Sequence, residues 1–332
     1  MIRSTLFAAA VSALAAGGAF AAEFKPAIVY DLGGRNDKSF NESAYTGAAK
    51  FKEDTGVEFR DFEIQNDSQR EQALSRFARQ GFSPIISVGF SHEGAVSKVA
   101  PQFPDTQFVI VDSVVDLPNV SSIVFKEHEG SYLAGVAAVL ASETKKVGFV
   151  GGMDIALIRK FACGYVQGAK ATDPKAEIFQ NMTGTTGAAW ADPVRGGELA
   201  KSQMARGADV VYHAAGGTGE GVLQAVADAG KLGIGVDKNQ NDLHPGHVLT
   251  SMVKRVDTAV YDTFKQAQAG EWRPGLKVFG LAEDGVALAM DENNQALITE
   301  EIAAAIAAAR EGVISGEIQV HDYMSDSACP VQ

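Results

Sequence analysis

Short β-branched or aromatic runs alternate with longer segments of helical apolar spacing along nearly the whole chain, and the alternation is run twice. In the first series AIVYD, SPIISVG, QFVIVDS and SSIVF read as strands. Between them lie NESAYTGAAKFKEDTG, DSQREQALSRFARQG and HEGAVSKVAPQFP, which carry apolar residues at helical intervals and stop at Gly or Pro. The second series runs KVGFVGG, RKFACGYVQGAKATDP, PVRGGELAKSQMARGA, DVVYHAA, GEGVLQAVADAGKLG and IGVD. Serial βα units of this kind build a parallel sheet with helices on both faces, because each crossover helix has to return over the sheet.

The two series echo each other. IVYDLGG, Phe40 and Gly47-Ala-Ala-Lys50 resemble GFVGG, Phe161 and Gly168-Ala-Lys170, with the Phe seven residues ahead of the Gly in both. Likewise RQGFSPIISVGFSHEGAVSKVA parallels MARGADVVYHAAGGTGEGVLQAVA. Two similar α/β lobes in tandem are therefore expected. Residues 22–126 plus 250–281 are assigned to the first lobe, and 127–249 plus 282–332 to the second. The C-terminal part supplies one strand and a long helix (HVLTSMVKRVDTAVYDTFKQAQAG), a pair of short strands (KVFGLAEDGVALAMD) and a last helix (ITEEIAAAIAAAREGVISGEI). That tail returns to the first lobe and finishes in the second, giving several hinge strands.

Residues 1–21 have one Arg, a short Ala-rich apolar run and Ala19-Phe20-Ala21, the pattern of a secretory signal cut after Ala21. The run is short for a membrane span, and no Cys adjoins the cut to receive a lipid. An exported, periplasmic protein without a lipid anchor is expected. Losing Arg3 takes the formal charge from −12 to −13, which disfavours a nucleic-acid partner, since phosphate contacts need clustered Lys and Arg. Cys163 and Cys329 can pair in an oxidising compartment or stand as unrelated thiols; sequence does not give their Cα spacing.

Catalytic and metal motifs fail on spacing. GFSHEG, Gly89 to Gly94, places its second Gly one residue late for a nucleophile elbow. GGTGEG, Gly216 to Gly221, follows a strand and opens a helix, yet it is not the dinucleotide fingerprint. A calcium loop starting at Asp237 lacks its Gly at Asp242 and its bidentate Glu at Val248. His244-Pro-Gly-His247 is a polar turn, and the His and Cys residues show no zinc pattern. No cofactor or metal is expected. What remains is a set of polar residues at strand C-termini, where ligands bind in open α/β sheets: Asp31, Asp112, Gly216 and Asp237. An acid in such a place can instead cap the next helix, but four strand ends of this type favour a pocket.

DLGGRNDKSFN, VIVDSVV, GGTGEGVLQAV, IGVDKNQ and TSMVKRVDTAVYD, in that order, resemble the basic membrane protein family of ABC-transporter substrate-binding proteins, in its purine-nucleoside receptor branch. The resemblance covers nearly all of the mature chain. It implies a two-lobe type I periplasmic binding fold with three hinge crossovers, a monomeric receptor holding a purine nucleoside between its lobes, and an ABC permease as partner; no catalysis is implied. By the same resemblance Phe40 stacks on the purine with Asp37 and Asn41 beside it, and Lys254 donates to ribose oxygens. Asp31 or Asp112, as an acceptor-only carboxylate, suits a purine N–H. Asp237 suits a cis-diol, and Gly216 lets the backbone approach. Trp190 is the candidate for the second face of the base, against the plainer expectation of a Trp packed under a loop. Two other functions stand beside this one: a receptor for a free base or pentose, and an exported nucleoside hydrolase. Family members are usually lipoproteins, and this chain departs from them in having no lipid-receiving Cys.

Overall fold

The apolar runs become the inner strands of two six-stranded sheets in the structure, a computed structural model that describes residues 24–331. The expected signal cleavage lies outside the described residues. In chain order the first series is β1 (Ala27–Tyr30), α1 (Phe40–Thr55), β2 (Arg60–Glu63), α2 (Gln69–Arg79), β3 (Ile85–Val88), α3 (Glu93–Val99), β4 (Phe108–Val111) and β5 (Val120–Phe125). The second is α4 (Glu127–Ala141), β6 (Lys146–Met153), α5 (Ala156–Thr172), β7 (Glu177–Gly184), α6 (Pro193–Ala205), β8 (Val210–Ala214), α7 (Thr218–Asp228), β9 (Leu232–Asp237) and β10 (Val248–Lys254). Then come α8 (Val256–Gln268), β11 (Gly275–Phe279), β12 (Val286–Leu288) and α9 (Glu300–Ser315).

The sheets run β11-β5-β4-β3-β1-β2 and β12-β10-β9-β8-β6-β7, so the tandem repeat in the sequence is a repeat of topology. All pairings are parallel except β10 with β12. The chain changes sheet after β5, after β10 and between β11 and β12. One expected boundary is corrected. Residues 250–254, assigned to the first lobe, complete β10 and pair with β9 in the second sheet, so the crossing comes at Lys254–Val256.

Two strands escape the sequence reading, β2 (RDFE) and β7 (EIFQNMTG). Each is an outer strand, bonded on one side and half-exposed, so polar residues interrupt the apolar run that marks an inner strand. Cys163 and Cys329 form a disulfide, which settles that open question.

The repeated glycines have a packing cause. A Cβ at Gly47 of α1 would run into the backbone carbonyl of Asp257 in α8, and one at Gly168 of α5 into that of Tyr132 in α4. Each lets two helices cross with backbones nearly touching. Gly168→Ala is therefore expected to lower stability by about 1–3 kcal/mol. Gly94→Ala in α3, where a Cβ meets open space, should raise it by about 0.5–1 kcal/mol. Urea denaturation of both variants checks the contrast, and equal effects would remove the crossing as the reason for Gly168.

Candidate ligand-binding site between the lobes

Parallel strands end on the same side of a sheet, and the two sheets turn those ends toward each other. The result is an interlobe cavity whose non-atom space, part of it open to solvent, is about 590 Å³. All nine residues singled out in the sequence line it: Asp31, Asp37, Phe40, Asn41, Asp112, Trp190, Gly216, Asp237 and Lys254. Phe90, Leu157, Ile158 and Phe161 complete the apolar wall.

The loop after β1 is fastened by its own polar side chains. Asn41 Oδ1 accepts from the Asp31 amide at 3.2 Å, and its Nδ2 donates to the carbonyls of Asp31 and Gly34. Asp37 accepts from the backbone N–H groups of Ser39, Asn41 and Glu42 at 2.9–3.0 Å, and so satisfies the free donors at the start of α1. Burial pushes its carboxyl up to about 7, against the pull of those three donors. Asp37 and Asn41 thus form the wall and hold the loop, while Phe40, in the first turn of α1, is left half-buried at the cavity.

Asp31 is also committed in part. Its Oδ1 accepts from Arg70 Nη1 at 2.6 Å and from the Leu32 amide at 2.7 Å, and its Oδ2 side lies against Gly89. Asp31 thus keeps Oδ2 without a hydrogen bond, and so does Asp112 at one oxygen: its Oδ2 accepts from Lys254 Nζ at 2.6 Å, and its buried Oδ1 has no hydrogen-bond partner among the described residues. Asp112 and Asp237 occupy corresponding places, just past β4 and at the end of β9, with φ of 69° and 63°. Left-handed backbone is uncommon outside glycine and is kept where surrounding structure enforces it; here it occurs at two matching strand ends.

Lys254 stands between them, about 1% exposed. Its Nζ pairs with Asp112 and, at 2.9 Å, with Glu127 Oε1. It lies 5.0, 5.1 and 5.7 Å from the ring centroids of Phe40, Phe125 and Phe161, within cation–π range. Burial raises the Asp112 carboxyl to about 6 although Lys254 opposes the shift. Glu127 is held down at about 2: burial works against this, but Lys254 and Lys160 outweigh it. Asp237 is raised, mainly by burial.

Trp190 is packed against glycines of the second lobe and also reaches the cavity: its ring covers Gly152 and its backbone lies beside Gly216 and Gly217. Gly216, with φ of 56°, makes the turn out of β8 beside Trp190 in a left-handed backbone that residues with a side chain rarely adopt. The lobes also meet directly at the mouth: Ser39 Oγ donates to Asp237 Oδ2 at 2.6 Å, Lys238 Nζ to Glu42 at 2.6 Å, and Gln240 Nε2 to the Lys38 carbonyl at 2.9 Å.

Sequence reasoning missed Glu127, Lys160 and Phe161. For Phe161 a signal existed: it is the counterpart of Phe40 in the echo between the two series. Glu127 and Lys160 gave none, because a charged residue at the start of a helix ordinarily reads as solvated.

Two repeated α/β lobes joined by crossing strands, with a partly open cavity between their strand ends, define a hinged receptor for a small solute. The chain belongs to the Bmp family of PnrA-like ABC transporter substrate-binding proteins, whose model matches residues 24–323. It is 36% identical over 321 residues to a "CD4+ T-cell-stimulating antigen" of Listeria monocytogenes, covering 90% of this chain and 88% of that one. It is 35% identical over 323 residues to the "ABC transporter nucleoside-binding protein BmpA" of Lactococcus lactis, covering 90% and 89%. Among solved structures, an ABC transporter solute-binding protein from Aeropyrum pernix superposes with a TM-score of 0.84 at 27% identity, over 90% of this chain and 93% of that one. The fold is that of the type I periplasmic binding proteins. No helix among the described residues is long and apolar enough to cross a membrane.

Proposed function

We propose that this substrate-binding protein captures a purine nucleoside between its lobes and delivers it to an ABC permease. One observation carries the reading: a single cavity sets the Phe40 ring beside carboxylates from both lobes, Asp112 and Asp237, with Lys254 between them. An aromatic face binds a base largely irrespective of its identity. The free Asp112 oxygen accepts from a ring N–H, and Asp237 and Lys254 serve the sugar hydroxyls. The Lactococcus relative, named a nucleoside-binding protein, supports the same class of ligand. Contacts to both lobes favour the closed form, which the permease then recognises.

The test is isothermal calorimetry with inosine, followed by recovery of the ligand. Binding with intact inosine recovered is expected; release of ribose would identify a hydrolase, and binding of hypoxanthine alone would identify a free-base receptor. Phe40→Ala should weaken inosine binding by about 1–3 kcal/mol and leave the unliganded melting temperature near that of the wild type. A large drop in that temperature would make Phe40 a core residue instead. The signal pattern supports export without a lipid, and mass spectrometry of the exported protein should find Ala22 first.

A further inference from the structure

The C-terminal segment after α9 does not trail into solvent. It lies along α5, the helix that carries Leu157, Ile158 and Phe161 into the cavity, and three of its fastenings share one face of that helix, while Asp322 Oδ2 also faces His128 Nδ1 of α4 at 3.8 Å. Lys160, Cys163 and Gln167 stand at i, i+3 and i+7. Cys163 is bonded to Cys329. Gln167 exchanges two hydrogen bonds with the backbone of His321, Nε2 to its carbonyl at 3.0 Å and its amide to Oε1 at 2.8 Å. Lys160 Nζ reaches Asp322 Oδ2 at 3.4 Å. Asp322 is aimed by its own turn, since its Oδ1 accepts from the Met324 amide at 2.9 Å.

Lys160 in turn connects to the ligand cavity through buried charges. Its Nζ pairs with Glu127 Oε2 at 2.9 Å and donates to the Phe125 carbonyl at 2.7 Å, while Glu127 Oε1 faces Lys254. Asp112, Lys254, Glu127, Lys160 and Asp322 thus form a line of alternating charge. It runs from the cavity through the first crossover to the tail. Lys254, Glu127 and Lys160 are buried, Asp112 faces the cavity with its side chain 6% exposed, and Asp322, with its side chain 35% exposed, closes the line at the surface.

We propose that the tail is a positioning strap for the ligand site: Asp322 fixes Lys160, Lys160 fixes the Glu127–Lys254 pair, and the Cys163–Cys329 bond keeps Asp322 in place. Without Asp322, Lys160 has Glu127 as its one carboxylate partner among the described residues. Glu127 is then drawn toward Lys160, and Lys254 loses the partner that holds it opposite Asp112. The effect on the ligand rests on the nucleoside reading above; the effect on the protein alone does not.

Asp322→Asn and Cys329→Ser should each weaken inosine binding about three- to thirtyfold, with the unliganded melting temperature of Asp322→Asn unchanged. Asp322→Glu should restore most of the affinity, which a purely structural tail would not require. Treating the wild type with a dithiol reagent cleaves the S–S bond to two thiols as the reagent closes to its own disulfide; it should match Cys329→Ser and leave that variant unaffected. In the unliganded protein, hydrogen exchange should rise at residues 125–128 and 156–161 in Asp322→Asn and Cys329→Ser but not in Asp322→Glu. Wild-type affinity in Asp322→Asn, failure of Asp322→Glu to restore it, or unchanged exchange at both segments would overturn the strap. Absence of inosine binding by the wild type would count against the nucleoside reading, and the exchange measurement would then decide the strap alone.

Discussion

Lys254→Met is expected to cost about 3–5 kcal/mol of stability near neutral pH, the usual result of stripping the partner from a buried charge, and to abolish ligand binding. Methionine fits the apolar stem well enough that packing accounts for little of this. The loss falls mainly on Asp112. Glu127 keeps Lys160 at 2.9 Å, whereas Lys254 is the one cation within ion-pair distance of Asp112 among the described residues. The deficit should also depend on pH. In the wild type the Asp112 carboxyl already stands at about 6, above its ordinary 3.8. A carboxyl raised on folding contributes stability that is full below the unfolded value and is lost as pH rises through the folded one. Removing Lys254 raises Asp112 further, so the variant should lag the wild type most at pH 8 and recover toward pH 5. Glu127 works the other way: held at about 2 against an ordinary 4.5, its contribution is present above about 4.5 and is lost as pH falls toward 2. Urea denaturation of both proteins at pH 5 and pH 8 measures the difference. A deficit below about 1 kcal/mol, or one equal at the two pH values, would show that the Asp112–Lys254 pair is not a buried charge balance.

The sheets were legible because inner parallel strands, buried on both faces, are nearly continuous apolar runs. AIVY, IISV and FVIV are fully buried as β1, β3 and β4. The outer strands β2 and β7 were not, since a strand with one free edge carries the polar residues of a loop. The cavity wall was legible because strand ends leave short loops, and a loop as polar as DLGGRNDKSFN has to face something. Roles were harder. Asp37, Asn41 and Asp31 are all at the cavity, yet most of their hydrogen-bonding capacity goes to the α1 amides, to the loop carbonyls and to Arg70. Nothing in the order of residues separates a carboxylate that holds a loop from one that faces a ligand. The charge line through Glu127 and Lys160 was hidden for a related reason. Its members are far apart in sequence and meet only where the chain changes sheets.

Ribonucleosides should bind more tightly than 2′-deoxynucleosides, and Asp237 should be the reason. The residue ends β9 with its side chain in the cavity and φ of 63°. Its Oδ2 already accepts from Ser39 Oγ at 2.6 Å across the lobes, which fixes the carboxylate and leaves Oδ1 for a sugar hydroxyl. Burial raises this carboxyl while Lys254 and Ser39 pull it down; a hydroxyl donor is a further pull toward the charged form. Losing one hydroxyl removes a charge-assisted hydrogen bond and leaves a buried lone pair unsatisfied, costing on the order of 1.5–3 kcal/mol. In affinity this is roughly ten- to a hundredfold. Asp237→Ala should erase most of the preference, because the group that distinguishes the sugars is gone. It should also loosen the closed form, because Ser39 loses its acceptor. These two effects separate in one experiment. Calorimetry of inosine against 2′-deoxyinosine on the wild type and on Ser39→Ala should show weaker binding of both ligands in Ser39→Ala with the preference kept. In Asp237→Ala the preference itself should vanish. If the wild type binds the two nucleosides equally, Asp237 serves only to latch the lobes, and the cavity reads the base without the sugar.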